Sequence, residues 1–191
     1  MTDGRARGTA TRADAQRNRE LLLQVALPLM HEEGTSVPLA SVAERAGVGI
    51  GTLYRHFSSR EALLEELTCR SFELLLSHIT EALARRGLAV DAMRFFLTAV
   101  IADRDSLLLP ATGGPAVASE RTREAQERVH AAIGEMLARG AQDGSIQRSI
   151  GVYDVAWLGA SLAQPGRPSP MWEETSGRLL ETYLAGLGAA P

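Results

Sequence analysis

Apolar residues recur at intervals of three and four along nearly all of the 191-residue chain, whereas alternation of apolar and polar positions is confined to short stretches. The first spacing is typical of amphipathic helices and the second of strands. The pattern therefore predicts an all-helical protein. Eight helices are expected, at about residues 14–33, 38–46, 50–56, 59–86, 90–108, 119–142, 152–163 and 170–187.

Glycine, proline and serine residues mark several helix ends. Gly34 follows the first predicted helix, and Ser58 and Glu61 have the spacing of a capping box at the start of the fourth. Pro28 interrupts the first helix, where the missing N–H and the ring cost about 3 kcal/mol if unrelieved. A kink or a locally opened turn is expected there.

The segment AERAGVGIGTLYRHF, residues 43–57, joins a glycine-containing break to a very short helix. With 100° per residue, Leu53 and Phe57 point into a core and Gly51 and Arg55 point away from it. Two short helices joined by such a turn form a helix-turn-helix, whose second helix can enter the major groove of DNA. The alternative is a solvated turn between core helices, for which outward tyrosine, arginine and histidine are an odd choice.

The outward face of the short helix has the chemistry that DNA contact requires. Gly51 permits close approach, and Thr52 and Tyr54 carry hydroxyls that can donate to phosphate oxygens. Arg55 can reach a base edge or the backbone. These residue types favour a nucleic-acid interface.

Charge is distributed unevenly along the chain. Residues 1–60 hold 8 arginines and 6 acidic residues, whereas residues 61–191 hold 12 arginines and 17 acidic residues. A locally basic N-terminal module on an acidic body agrees with binding of a polyanion, although a net charge of +2 is weak support. All 20 basic residues are arginine, which genome base composition explains as well as phosphate recognition does.

Composition and motifs argue against a membrane protein, a secreted protein and an enzyme. Hydrophobic residues make up 45% of the chain, no apolar run approaches the roughly 20 residues of a membrane span, and the N-terminus lacks the apolar centre of a signal peptide. A cytoplasmic location is expected. The four histidines show no metal-ligand spacing and no glycine-rich phosphate loop follows a strand, so we predict no catalytic residue, metal or cofactor. Cys69 is interpreted as a packed thiol, with a redox sensor as the alternative.

Residues 21–67 resemble the tetracycline-repressor (TetR) family of bacterial transcriptional regulators. The family pattern IAxxAGVSxGTLYxHFxSKExL appears here as VAERAGVGIGTLYRHFSSREALL. The resemblance implies a helix-turn-helix DNA-binding domain over residues 14–60 after a flexible tail, residues 1–13. A long fourth helix would join it to a ligand-binding and dimerisation bundle over residues 61–191. The implied function is a ligand-responsive regulator, a homodimeric repressor that a small apolar molecule releases from a palindromic double-stranded DNA operator.

The resemblance also assigns roles to residues of the short helix and its surroundings. Thr52, Tyr54 and His56 would hold phosphates, while Ile50, Gly51 and Arg55 would lie against the groove. Arg60 stands where the family usually has a phosphate-binding lysine. Gly49 replaces the usual serine or threonine cap at a cost of a few tenths of a kcal/mol, and Pro38 replaces a threonine that often lies near the DNA backbone.

The second half of the chain contains a candidate cavity and a candidate dimer interface. The cavity prediction comprises Met93, Phe96, Leu97, Val100, Ile101, Arg104, Met136 and Trp157. Plain core packing is the alternative for each of these residues. One arginine in an apolar cavity would favour a flat or acyl-chain ligand with an acid or carbonyl group.

The dimer interface is predicted from the stripes of the last two helices, and the core of a monomer would use the same stripes. The predicted interface residues are Trp157, Ala160, Ser161, Leu179, Leu180, Tyr183, Leu184 and Leu187. A rival function is a helical ligand-binding or protein-interaction module that has lost DNA binding. Arg5, Arg7 and Arg12 could reach a minor groove, and disorder is the alternative for them.

Overall fold

The computed structural model describes the backbone of residues 4–164 and 170–188 and the side chains within these ranges, except those of residues 4–13, 112, 170 and 173. The described residues contain helices and no strand, which confirms the prediction of an all-helical protein. The helices are α1 (Gly4–Glu33), α2 (Leu39–Arg45), α3 (Ile50–His56), α4 (Arg60–Ala84), α5 (Ala89–Ala102), α6 (Glu120–Asp143), α7 (Val152–Leu162) and α8 (Pro170–Leu187).

The chain divides into two compact units, the first ending at Leu67 and the second beginning at Thr68. This boundary lies seven residues after the predicted one, and the roles assigned to the domains stay predictions. The first unit contains α1 to α3 and the beginning of α4. Its buried side chains come from all four helices and include Leu22, Leu29, Val42, Ala43, Leu53, Phe57, Leu63 and Leu67.

The ends of α1 and α4 differ from the predicted ones. Helix α1 begins at Gly4, ten residues before the predicted start, and it continues through Pro28 to Glu33. The capping-box prediction for Ser58 was wrong by one residue. The Ser59 Oγ accepts a hydrogen bond from the Ala62 N–H at 3.2 Å, and hydrogen bonds from the backbone and from Ser59 hold the pKa of Glu61 below its usual value.

Helix α5 ends at Ala102, six residues before the predicted end at Leu108. Two short 3-10 turns follow, at Arg104–Ser106 and Pro110–Thr112. Leu107, Leu108 and Leu109 are all buried. In a helix with one side in solvent, three consecutive residues point in different directions and would not all be buried. The extended chain buries them instead, and the Ser71 Oγ accepts a hydrogen bond from the Leu108 N–H at 2.8 Å.

The last residue of α6 and the turn that follows it satisfy backbone groups at the ends of two other helices. The Asp143 Oδ2 accepts a hydrogen bond from the Ala89 N–H at 2.8 Å, and the Ser145 Oγ accepts one from the Val90 N–H at 3.2 Å. Both donors lie in the first turn of α5, which has no partners for them within the helix. In the same turn, the Gln147 N–H donates to the carbonyl of Leu187, the last residue of α8, at 2.8 Å.

The same turn packs against α6 at Gly140. A Cβ built on Gly140 would lie 2.5 Å from the Ile146 Cγ1 and 2.6 Å from its Cβ, which is too close for any real contact. Gly134, in the same helix, would place its Cβ 3.7 Å from the Val152 Cγ2, an ordinary van der Waals distance.

We therefore expect Gly140→Ala to destabilise the protein by about 1–3 kcal/mol, because the methyl group must displace Ile146. Gly134→Ala should be neutral or stabilising by up to about 1 kcal/mol, since alanine has the higher helix propensity. Urea denaturation followed by circular dichroism measures both. Equal stabilities of the two variants would contradict the close packing at Gly140.

Candidate functional site

The turn between α2 and α3 is closed by a left-handed glycine. Gly47 has φ of +67°, which a residue with a side chain rarely adopts. Its N–H donates to the Glu44 carbonyl and the Val48 N–H donates to the Ala43 carbonyl, both at 3.0 Å. This is the Schellman pattern, which satisfies the last carbonyls of α2 and ends the helix abruptly. Helix α3 can therefore begin at residue 50, as predicted.

Helix α3 buries one side and exposes the other. Leu53 is fully buried, and Phe57, which follows the helix, is 2% exposed. Ile50 and Tyr54 are 43% and 52% exposed. Gly51 and Arg55 are exposed as well, whereas Thr52 and His56 are half-buried. The structure thus puts the residues predicted to contact DNA on the outward face and the flanks of α3.

Gly51 has no structural reason to be glycine within the chain. Its φ is not in the left-handed region, and a Cβ built on it would meet no atom within 4 Å. A glycine inside a helix costs roughly 0.5–1 kcal/mol relative to alanine. The fold therefore does not require glycine at position 51.

Arg60 supports the loop that precedes α2. Its Nη1 donates to the Thr35 carbonyl at 3.1 Å and to the Val37 carbonyl at 2.6 Å. Sequence reasoning assigned Arg60 to a phosphate only and missed this role, because nothing local to residue 60 indicates that the loop before α2 lies beside it. The two hydrogen bonds use Nη1 alone, so the predicted phosphate contact stays a prediction.

Arg19 anchors the other end of α3 to the first unit. Its guanidinium carbon lies 5.1 Å from the centre of the Phe57 ring, and its Nη2 lies 2.9 Å from the Glu66 Oε2. Glu66 is buried, and the ion pair with Arg19 offsets part of the cost of burying a carboxylate. Sequence analysis did not identify Arg19, since its partners are distant in the sequence.

A cavity of about 350 Å³ lies in the second unit, between α4, α5, α6, α7 and the 3-10 turn at residues 110–112. Its described lining is mostly apolar and aromatic. The lining residues are Phe72, Leu75, Phe96, Val100, Leu109, Pro110, Ala111, Gln126, Val129, His130, Ile133, Tyr153, Val155, Ala156, Trp157, Gly159 and Ala160.

Three of the eight residues predicted to line a cavity, Phe96, Val100 and Trp157, belong to this lining. The other five, which the described lining does not include, are Met93, Leu97, Ile101, Arg104 and Met136. Met93, Leu97 and Met136 are buried in the core, as the alternative of plain packing expected. Arg104 is 9% exposed and its Nη1 donates to the Ile101 carbonyl at 3.3 Å.

Two polar side chains of α6 face the cavity, and sequence analysis missed both. Gln126 and His130 are one helical turn apart, and the His130 ring contacts the Tyr153 ring edge-on, with centres 5.3 Å apart. Burial lowers the pKa of His130, which favours the neutral imidazole. Their i, i+4 spacing is a signal that could have placed them on one face.

The residues predicted for the dimer interface fall into two groups. Leu180, Leu184 and Leu187 are buried within the chain's own core, together with most of Tyr183. Trp157, Ser161 and Leu179 are exposed, and Ala160 lines the cavity. The interface as a whole stays a prediction, and the exposed group is the part of it that a second chain could reach.

The remaining predicted features lie outside the two candidate sites. The side chains of Arg5, Arg7 and Arg12 lie outside the described residues. Cys69 is buried, with its Sγ 3.7 Å from the Glu73 Oε1. Across the described ranges, no helix is long and apolar enough to cross a membrane, and no three metal-ligating side chains are grouped together.

Comparison with known proteins agrees with the turn and the helix order. Residues 22–67 match the sequence profile of the bacterial regulatory proteins of the tetR family. The crystal structure of the TetR transcription regulatory protein from Mycobacterium vanbaalenii superposes with a TM-score of 0.63 at 28% identity, covering 94% of this chain and 99% of that one. The chain thus resembles the TetR family in sequence over residues 22–67 and in fold over most of its length.

Two further relatives are similar to this chain in fold or in sequence. A regulatory protein of the tetR family from Rhodococcus RHA1 superposes with a TM-score of 0.72 over 91% of this chain and 98% of that one; at 18% identity this likeness concerns the fold alone. An HTH-type transcriptional regulator from Staphylococcus aureus strain USA300 is 32% identical over 71 residues, 37% of this chain. The matched segment spans only 38% of that relative's length. These relatives are named as regulators and not as enzymes, in agreement with the sequence analysis.

The contacts of Arg60 predict a stability effect in the first unit. We expect Arg60→Met to destabilise the fold by about 1–3 kcal/mol, because the carbonyls of Thr35 and Val37 lose their donor. Arg55→Met is the matched control, since the exposed Arg55 should change stability by less than about 0.5 kcal/mol. Urea denaturation of the full chain compares them. An Arg60→Met variant as stable as the control would show that the two hydrogen bonds contribute nothing.

Proposed function

We propose that the chain is a DNA-binding transcriptional regulator that inserts α3 into the major groove. The observation that carries this proposal is the outward face of α3, where a glycine without a structural role stands beside exposed Tyr54 and Arg55. The helix is short and projects from a tight turn, the geometry that lets a recognition helix enter a groove about 12 Å wide. The resemblance to TetR-family regulators supports the same function.

The side chains of α3 divide into those that would hold the DNA backbone and those that would face the bases. Thr52, Tyr54 and His56 lie on the flanks or outward face and would contact phosphates, which positions the protein without reading sequence. Ile50, Gly51 and Arg55 would lie against the groove, where a guanidinium can bind the O6 and N7 atoms of a guanine. Arg60 would add a phosphate contact through the N–H groups that the 35–37 segment does not use.

The regulator would act as a homodimer on an operator with two half-sites. A single helix-turn-helix binds weakly, and two copies in successive major grooves require half-sites one helical turn apart, roughly 34 Å. Three exposed side chains, Trp157, Ser161 and Leu179, support an interface on the outward faces of α7 and α8. Repression of transcription in the cytoplasm is the mode of action that the family resemblance implies.

A small molecule in the second unit's cavity would release the DNA. A ligand shifts an equilibrium only by its differential affinity for the two states, so it must bind the DNA-free arrangement more tightly than the DNA-bound one. The cavity of about 350 Å³ falls within the range of small-molecule sites. By reciprocity, the operator must weaken ligand binding by the same factor by which the ligand weakens operator binding.

The rival function is a helical ligand-binding or protein-interaction module that has lost DNA binding. This function would also explain the cavity, but it does not explain why Tyr54 and Arg55 are exposed on α3. Absence of salt-dependent binding to any DNA, including the promoter beside its own gene, would favour the rival.

The experiment that tests the function is footprinting on genomic DNA, followed by salt titration of α3 variants on the site found. We expect a near-palindromic footprint. Tyr54→Ala should weaken binding to the operator and to unrelated DNA alike, because a phosphate contact carries no base information. Arg55→Ala should also relax sequence preference, by about 1–3 kcal/mol if it binds a guanine. A footprint on one asymmetric half-site would contradict the dimer, and wild-type affinity of both variants would exclude α3 from the groove.

Gly51 allows stability to be separated from DNA binding. We expect Gly51→Ala to stabilise the fold by about 0.5–1 kcal/mol, since the added methyl group meets no atom of the chain and alanine favours the helix. The same methyl group should weaken DNA binding by keeping the helix backbone away from the groove. Gly134→Ala, in α6, is the control that should leave DNA affinity unchanged. A Gly51→Ala variant that is more stable and binds the operator like wild type would show that α3 does not approach DNA closely.

A further inference from the structure

The cavity of the second unit has a lining without formal charge. Among the described residues, the side chains that line it include no aspartate, glutamate or arginine. Its polar groups are few, and the amide of Gln126 and the ring of His130 are the ones on α6. Burial lowers the pKa of His130, which favours the uncharged form of the ring.

These two side chains can bind a polar, uncharged group. An amide side chain both donates and accepts hydrogen bonds, and a neutral imidazole has one donor and one acceptor nitrogen. Gln126 and His130 are neighbours on the same face of α6, so both can reach one group of a ligand whose apolar part packs against Phe72, Phe96 and Ile133.

We infer that this cavity selects an uncharged, largely apolar ligand with one polar group that pairs with Gln126 and His130. The inference rests on the proposed function, and it specifies the chemical class of the effector. A carboxylic acid, which the sequence left open through Arg104, finds no cationic side chain in the described lining, because Arg104 is not part of it and donates to the Ile101 carbonyl. A buried charge without a partner costs far more than a buried neutral group that is hydrogen-bonded.

Three probes of one shape test the charge preference directly. The probes are 4-cyclohexylbenzamide, which is neutral, 4-cyclohexylbenzoate, an anion, and 4-cyclohexylbenzylammonium, a cation. Calorimetric titration of the full chain at pH 7 without DNA measures their affinities. We expect the amide to bind at least about tenfold more tightly than the benzoate and the ammonium.

A charge placed in the lining should reverse this preference. Gln126→Lys puts an ammonium group beside His130, so the benzoate should gain affinity and the amide should lose it. Gln142→Lys is the matched control, because Gln142 is an exposed residue of the same helix outside the described lining. Ala156→Phe places a ring in the cavity and should reduce binding of the amide, while Gln142→Lys should leave it unchanged.

Several results would overturn the inference. They are binding of the benzoate or the ammonium as tight as that of the amide, failure of all three probes to bind the wild-type chain, and an equal response of the two lysine variants. A preference for the amide that leaves operator affinity unchanged would support the inference and contradict release of DNA by a ligand. The calorimetry uses no DNA. A wrong ligand class can therefore be distinguished from an absence of DNA binding.

Discussion

Helix α3 is too short to be stable alone, and the burial of Leu53 and Phe57 holds it in the first unit. Helix α3 has seven residues, well below the roughly 12 that an isolated helix needs in water, so tertiary packing must hold it. Leu53 is fully buried and Phe57 nearly so, and the Arg19 guanidinium covers the Phe57 ring. Because two residues one turn apart determine the rotation of the helix about its axis, they also determine which side chains face outward.

The backbone of the turn and the Arg60 side chain complete this support. Gly47 ends α2 with a left-handed residue, and Arg60 holds the carbonyls of the preceding loop. Neither contributes to the outward face of α3. The exposed residues of α3 are not part of this support. Glycine at position 51 lowers the stability of the helix, and the fold does not require it. Such a division between a supported inner side and an unconstrained outer side suits a surface that binds another molecule.

The second unit is organised around the end of α6 and the segment that joins it to α7. Asp143 and Ser145 accept hydrogen bonds from the first turn of α5, and Gln147 donates to the end of α8. These bonds satisfy helix ends that have no partners of their own. The same unit leaves a cavity among α4, α5, α6 and α7 whose described lining has no formal charge, so its chemistry differs from that of the arginine-bearing surface of α3.

The sequence by itself determined the helical class, the turn at Gly47 and the outward face of α3, because these depend on spacing and on backbone preferences within a few residues. The ends of α3 and α8 were predicted to the residue for the same reason. Only the tertiary structure decided what each buried stripe packs against. A helical stripe shows that Met93 and Phe96 are inside, yet one fills the core and the other lines the cavity. Likewise Leu180 and Leu184 face their own chain, and Arg60 and Arg104 bind carbonyls whose positions depend on how distant segments pack.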